Sequence, residues 1–248
     1  MSVLETRELV KEFSGFRAVD GVSLALDEGK VHALVGPNGA GKTTLFHMLT
    51  GFVKPTSGAI VAFGNDVTAL PAFRITRLGI ARSFQITSLF ERRTVIEHVV
   101  LALHAKDPVS MRFWVAEGVV QRYRARGLAI LDEVGLASVA SRTAGSLPYG
   151  QKRALELALA LALDPRVLLL DEPTSGMGVE DVGRTIELIR HVRGGRTVLL
   201  VEHNMGVVAQ LAERVIVMQQ GRVIADGAYE QVRRDTAVVT AYLGQTDA

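Results

Sequence analysis

The chain has 248 residues, 48% of them hydrophobic and 22% charged, a composition that places it among folded globular proteins and leaves room for a full core. Its 28 basic and 26 acidic residues leave a net charge of +2, too weak a field to argue for nucleic acid, and the lack of cysteine excludes disulfides and cysteine-based metal sites. The N-terminal MSVLETRELVKEF is charged and strand-like and reads as no signal peptide. The most apolar long stretch, residues 154–165, is interrupted by Glu156 and is too short for the roughly 20 residues that span a bilayer. If the protein acts at a membrane, another chain must cross it.

From Leu4 to about Phe63 the runs LETRELVKEF, AVDGVSLAL, KVHALVG and GAIVAFG read as short strands. Their alternation and turn glycines predict an antiparallel portion packed beside a nucleotide-type core. Within this region VHALV is an apolar, β-branched strand, GPNGAGKTT follows it, and TTLFHMLTG is an amphipathic helix ending at Gly51.

Residues 36–43 fit Gly, four residues, Gly, Lys, Ser/Thr, with the strand before and the helix after that a phosphate loop requires. Gly36, Gly39 and Gly41 remove the Cβ atoms that would stop the backbone from folding round an anion. The N–H groups of the loop, whose path also takes in Asn38, Ala40 and Pro37 (which has no N–H to give), then face the β- and γ-phosphates together with the helix start at Thr44. Lys42 adds a flexible point charge, and the Thr43 hydroxyl can coordinate Mg²⁺.

Between about Asp66 and Ala144 the pattern turns mostly helical, through PAFRITRLG, TVIEHVVLALHA and a long stretch from Phe113 to Val134, and reads as an insertion. Gln85, after the short strand GIARSF, carries a neutral amide able to touch both Mg²⁺ and an attacking water. LPYGQKRALELALALAL is a turn followed by a helix, and its junction at Gly150 and Gln151 makes a second anion-binding helix start. One nucleotide hardly needs both devices from one subunit. The economical arrangement is a head-to-tail pair, each phosphate loop facing the other chain's glycine turn across ATP.

VLLLDEP places Asp171 and Glu172 at the carboxyl end of a buried strand, the edge where ligands bind in open α/β sheets. Uncompensated charge there is costly, and a bound Mg²⁺ removes the difficulty. Asp171 would hold the ion through its water shell, and Glu172 would polarise the water that attacks the γ-phosphorus. One strand later, TVLLVEH puts His203 at the same edge, within reach of the γ-phosphate. The end of the chain, RVIVMQQGRVIADG, reads as a hairpin turning at Gln220–Gly221.

The phosphate loop, the Gln85 loop, LPYGQ, VLLLDEP, the SGMG loop and the His203 strand occur in the order of the ATP-binding-cassette ATPases, and the whole chain resembles that family. The resemblance implies an α/β P-loop NTPase (RecA-like) core with an antiparallel β subdomain and a helical subdomain inserted at roughly 86–150, all in one ATP-binding domain. It implies ATP sandwiched between two cassettes, with Leu147, Pro148, Tyr149, Gly150 and Gln151 as the signature that meets the partner's nucleotide, and Phe13 stacking on adenine. Catalysis would fall to Glu172, His203, Gln85 and Lys42, and Mg²⁺ to Thr43, Gln85 and Asp171.

LPYGQ, ARSFQ before LFERRTVIEHV, the long insert around 105–126, EHNM and the closing AYLG are similar to the branched-chain amino acid uptake subgroup, in its longer-insert LivG-like form. That implies a place on the cytoplasmic face of the inner membrane, with two permease subunits, a second cassette of the same or a different kind, and indirectly a periplasmic substrate-binding protein. Relatives serving urea, amides or aromatic compounds are the alternative, as are exporting cassettes with the same engine. A cassette that remodels nucleic acid or ribosomes carries a second cassette or long basic additions, so no nucleic acid partner is expected. Two positions depart from the family pattern: Pro148–Tyr149 replaces the signature's usual Ser-Gly pair, and Gly178 stands where Asp or Asn is usual.

Overall fold

A computed structural model describes residues 1–83, 89–106 and 117–243. Strands β1 (Ser2–Phe13) and β2 (Phe16–Asp27) form a long hairpin, followed by β3 (Val31–Val35) and helix α1 (Lys42–Leu49). After β4 (Ser57–Ala62), β5 (Asn65–Asp66), α2 (Ala72–Arg77) and β6 (Ile80–Arg82) come the helices α3 (Val95–Lys106), α4 (Glu117–Glu133) and α5 (Tyr149–Ala162). Strand and helix then alternate through β7 (Val167–Asp171), α6 (Val179–Arg193), β8 (Thr197–Val201), α7 (Met205–Leu211), β9 (Arg214–Gln219) and β10 (Arg222–Gly227), and α8 (Tyr229–Val232) and α9 (Thr236–Leu243) close the chain.

The strands divide into two sheets. One is antiparallel, in the order β2-β1-β4-β5. The other runs β10-β9-β3-β8-β7-β6, parallel except for β10. VHALV therefore departs from the expectation that grouped it with the antiparallel strands: β3 is a central strand of the parallel sheet, buried at all five positions. Its continuous burial, shared with β7 and β8, is the mark of a strand covered on both faces. Within the mostly helical region from Asp66 to Ala144, the short strand expected at GIARSF is present as β6, which pairs with β7 in register Ile80↔Val167 to Arg82↔Leu169. The predicted hairpin is present, with Gln220 and Gly221 both at positive φ.

Each face of the parallel sheet has its own core. Leu34, Leu169, Leu199, Ile216 and Met218 pack with α1 and the antiparallel sheet. Ala33, Leu168, Leu170, Val198, Leu200 and Val217 pack on the other face with residues of α3, α5, α6 and α7. Fixing the strands from both sides holds their carboxyl ends at defined heights, and that fixes the site. His32 is the polar exception on β3. It is fully buried, its Nε2 accepts the Asp27 N–H at 3.1 Å, and burial pushes its pKa below the ordinary 6.5. The helical region starts on a capping box: the Thr94 hydroxyl accepts the Glu97 N–H at 3.3 Å, and the Glu97 carboxylate accepts the Thr94 N–H at 2.7 Å.

Candidate active site

Three neighbouring parallel strands, β3, β8 and β7, deliver the chemistry to one edge. Leu34 and Asp171 both lie opposite Val201, so the strands end level. β3 runs into the phosphate loop, β7 ends at Asp171 and leads to Glu172, and β8 leads to Glu202 and His203. The Glu172 N–H donates to the Val201 carbonyl at 2.9 Å, extending the β7–β8 pairing one step past the strand.

In the loop, glycine is required at two positions for lack of space. A Cβ on Gly36 would run into the Met218 carbonyl oxygen, and one on Gly41, at φ 97°, into that of Ala18. Gly39 (φ 76°) has nothing within 4 Å of a Cβ, so its open side faces space rather than protein. The Lys42 ammonium is buried and donates to the carbonyls of Gly36 at 2.7 Å and Pro37 at 2.9 Å, bridging the loop it follows. Burial pushes its pKa below the ordinary 10.5, while the charges of Glu172 and Asp171 draw it back up.

Asn38, Gly39, Ala40, Gly41, Lys42, Thr43 and Thr44 line a cleft of about 260 Å³ together with Phe16, Ala18, Glu172 and His203. Across it His203 Nε2 lies 2.8 Å from Glu172 Oε1. Glu172 holds a φ of 45°, a conformation uncommon for a residue with a side chain. Asp171 sits deeper, at 2% exposure, where its Oδ2 accepts from Arg82 at 2.6 Å and the Arg82 guanidinium stacks 5.1 Å from the centre of the Phe46 ring. The hydroxyl of Thr43 and the carboxylate of Asp171 are hard oxygen donors, the chemistry that suits Mg²⁺. Among the described residues no cluster of three or more His, Asp or Glu side chains offers a rival metal site.

Some expected residues lie elsewhere. Gln85 lies outside the described residues. Phe13 and Phe16 are a cross-strand pair at the tip of the β1–β2 hairpin, and Phe16 is the one that lines the cleft, with the Phe13 ring 4.9 Å from the Lys11 ammonium. Leu147, Pro148, Tyr149, Gly150 and Gln151 stand apart from the phosphate-loop cleft. Helix α5 starts at Tyr149 with Pro148 as its cap at φ −58°, so Gly150 lies in the first turn and does not precede the helix as expected. The proline sets the entry angle, and the first intrahelical bond runs from the Lys152 N–H to the Pro148 carbonyl at 3.0 Å, which leaves the N–H groups of Tyr149, Gly150 and Gln151 without an i−4 acceptor. The Tyr149 hydroxyl donates to the Ser175 carbonyl at 3.1 Å, tying this turn to the loop after Glu172.

Two groups at the site, one nearly and one fully buried, are not picked out by the sequence. Arg82 pairs with Asp171 across 89 positions of sequence. The Glu202 carboxylate, 3% exposed, accepts from Thr174 and from the His203 turn. The signal for Glu202 was present, because VLLVE ends a buried run on a carboxylate just as VLLLD does.

Among the described residues no helix is long and apolar enough to cross a membrane. Residues 19–175 match the family described as "ABC transporter", and residues 222–248 match "Branched-chain amino acid ATP-binding cassette transporter". The chain is 39% identical to the high-affinity branched-chain amino acid transport ATP-binding protein BraF of Pseudomonas aeruginosa, covering 98% of each. It is 38% identical to the LivG protein of the same description from Escherichia coli, again over 98% of each. The solved ADP conformation of MJ1267, an ATP-binding cassette of an ABC transporter, superposes with a TM-score of 0.87 at 30% identity, covering 98% of this chain and 99% of that one. With the phosphate loop, Asp171–Glu172 and His203 converging on one sheet edge in the P-loop fold of that cassette, the chain belongs to the ABC transporter family, as one of its ATP-hydrolysing cassettes.

Proposed function

We propose that this cassette hydrolyses ATP to power the uptake of branched-chain or related amino acids through separate permease subunits. The observation that carries the hydrolytic part is the meeting of the phosphate loop, Glu172 and His203 in one cleft. In this reading the loop N–H groups and Lys42 hold the β- and γ-phosphates. Glu172 accepts a proton from the water whose oxygen attacks the γ-phosphorus, and the bond to the ADP oxygen breaks in line. His203 holds the Glu172 carboxylate in place and faces the γ-phosphate. Thr43 and Asp171, with Gln85, would hold Mg²⁺, which when bound neutralises charge on the phosphates. Phe13 and Phe16 at the hairpin tip form the aromatic wall against which adenine stacks.

The signature turn, residues 147–151, stands outside the chain's own cleft, which supports its use by a second cassette, the same or different, across ATP. In this reading the whole chain is a single cassette, and a helical subdomain inserted at roughly 86–150 contacts the permeases at the cytoplasmic face of the inner membrane. A periplasmic binding protein would supply the substrate from the far side. The substrate class rests on the similarity to BraF and LivG and on the match at residues 222–248.

The test is co-expression with the permease subunits and uptake of labelled leucine, isoleucine, valine, urea and small amides. ATP-dependent uptake of the branched-chain amino acids is the expected result. Uptake confined to urea or amides would overturn the substrate class and leave the ATPase assignment standing.

A further inference from the structure

Glu202 is a buried carboxylate with no Lys, Arg or His side-chain nitrogen within 4.0 Å among the described residues; backbone and hydroxyl donors meet it instead. Oε1 accepts the Thr174 N–H at 3.0 Å and the Thr174 hydroxyl at 2.6 Å. Oε2 accepts the N–H of His203 at 3.1 Å and that of Asn204 at 3.4 Å. One oxygen thus serves the loop after β7, and the other serves the turn after β8. The Glu172–His203 bond joins the same two segments on the cleft side. The His203 turn is also fixed from its far end, where the Asn204 side chain caps α7 by accepting from Gly206 at 2.9 Å and Val207 at 3.4 Å.

We infer that Glu202 is a positioning residue: its carboxylate clamps the Thr174 loop to the His203 turn and so sets the distance at which His203 meets Glu172. The inference rests on the proposal that Glu172 and His203 carry hydrolysis. The donor pattern makes a specific demand. All four partners donate, so the group must accept at both oxygens, which a carboxylate does and a carboxamide of the same shape does not. In Glu202→Gln the amide nitrogen would face either the His203 turn, opposing two backbone N–H groups, or Thr174, opposing its backbone N–H while only the hydroxyl can turn to accept. Thr174→Val removes one hydroxyl donor while keeping volume and the backbone N–H. The clamp also lies next to the signature turn, since Ser175 accepts the Tyr149 hydroxyl at 3.1 Å.

The experiment measures steady-state ATP hydrolysis, nucleotide affinity and thermal midpoint for the full-length wild type, Glu202→Gln, Thr174→Val, the double variant and Glu172→Gln. Expected for Glu202→Gln is a kcat about 10- to 100-fold lower with KM for ATP within a factor of about three, as for loss of a group that orients a reacting one. Thr174→Val should show a smaller fall in kcat, and adding it to Glu202→Gln should change little further, because both break the same clamp. A kcat per folded chain within twofold of wild type in either single variant overturns the inference, whatever happens to the thermal midpoint. Should Glu202→Gln fail to fold, Thr174→Val decides alone. If Glu172→Gln still turns over at the wild-type rate, the underlying proposal has failed; if it is inactive while the clamp variants are unimpaired, only the clamp has failed.

Discussion

Glu172 and His203 meet across the phosphate-loop cleft at 2.8 Å, Oε1 to Nε2, although 31 positions separate them in sequence. The β7–β8 register brings them together, since Asp171 pairs with Val201 and each side chain follows within two residues of that pair. The contact is half-exposed and faces the loop, so it can change as a phosphate arrives. His203→Ala is expected to lower turnover by about a hundredfold while ATP affinity stays within a few-fold, as for other single preorganised donors. Steady-state hydrolysis beside equilibrium nucleotide binding checks this; unchanged turnover would return His203 to a surface role.

The loop glycines should separate folding from binding. Gly41→Ala combines a left-handed conformation, about 1–2 kcal/mol for a side-chain-bearing residue, with a collision against the Ala18 carbonyl, so stability should fall measurably. Gly39→Ala has the same backbone cost and no protein neighbour to strike. It should therefore lose ATP affinity out of proportion to its loss of stability, because its Cβ occupies the side left open for phosphate. Chemical denaturation and nucleotide titration of the two variants test the contrast.

Arg82 compensates the charge of Asp171 in a nearly dry setting. Arg82→Met removes one partner and leaves a buried carboxylate alone, so unfolding free energy without nucleotide should fall by about 3 kcal/mol. A change below about 0.5 kcal/mol, the size usual for exposed pairs, would contradict the burial argument.

Acid stability should carry the mark of His32. Its folded pKa lies below 6.5 because burial disfavours the imidazolium, and burial also lowers that of His47. Below about pH 6.5 the unfolded chain takes up protons that the folded chain refuses, so stability is fully present above that pH and falls as pH drops toward the folded pKa. His32→Gln keeps an acceptor near the Asp27 N–H and removes the titration. Its thermal midpoint should vary less between pH 6.5 and 5 than that of the wild type.

The parts of the site that follow from local chemistry were legible in sequence. An apolar run that ends on a charged or glycine-rich segment announces a buried strand meeting a ligand, and VHALVGPNG, VLLLDE and TVLLVEH all have that form. What escaped depends on pairing. Arg82 reaches Asp171 only because β6 lies beside β7 at the sheet edge, a neighbour relation that no local pattern specifies. Alternation and turn glycines group VHALV with its chain neighbours in the antiparallel portion, whereas its unbroken burial places it with β7 and β8. Phe13 and Phe16 pair across a two-residue turn, and alternation alone does not single out Phe16 as a residue that lines the cleft. Helix α5 begins one residue before Gly150 because Pro148 already supplies the entry dihedral, leaving the glycine within the first turn.

The most direct test of the account is Glu172→Gln in the full-length chain, with ATP binding and steady-state hydrolysis measured on the same preparation. The side chain keeps its shape and its reach to His203 and loses the ability to take a proton. ATP binding should persist within a few-fold while hydrolysis falls by a hundredfold or more. Hydrolysis at the wild-type rate, with ATP bound, would contradict the assignment of Glu172 and with it the chemistry built on this cleft.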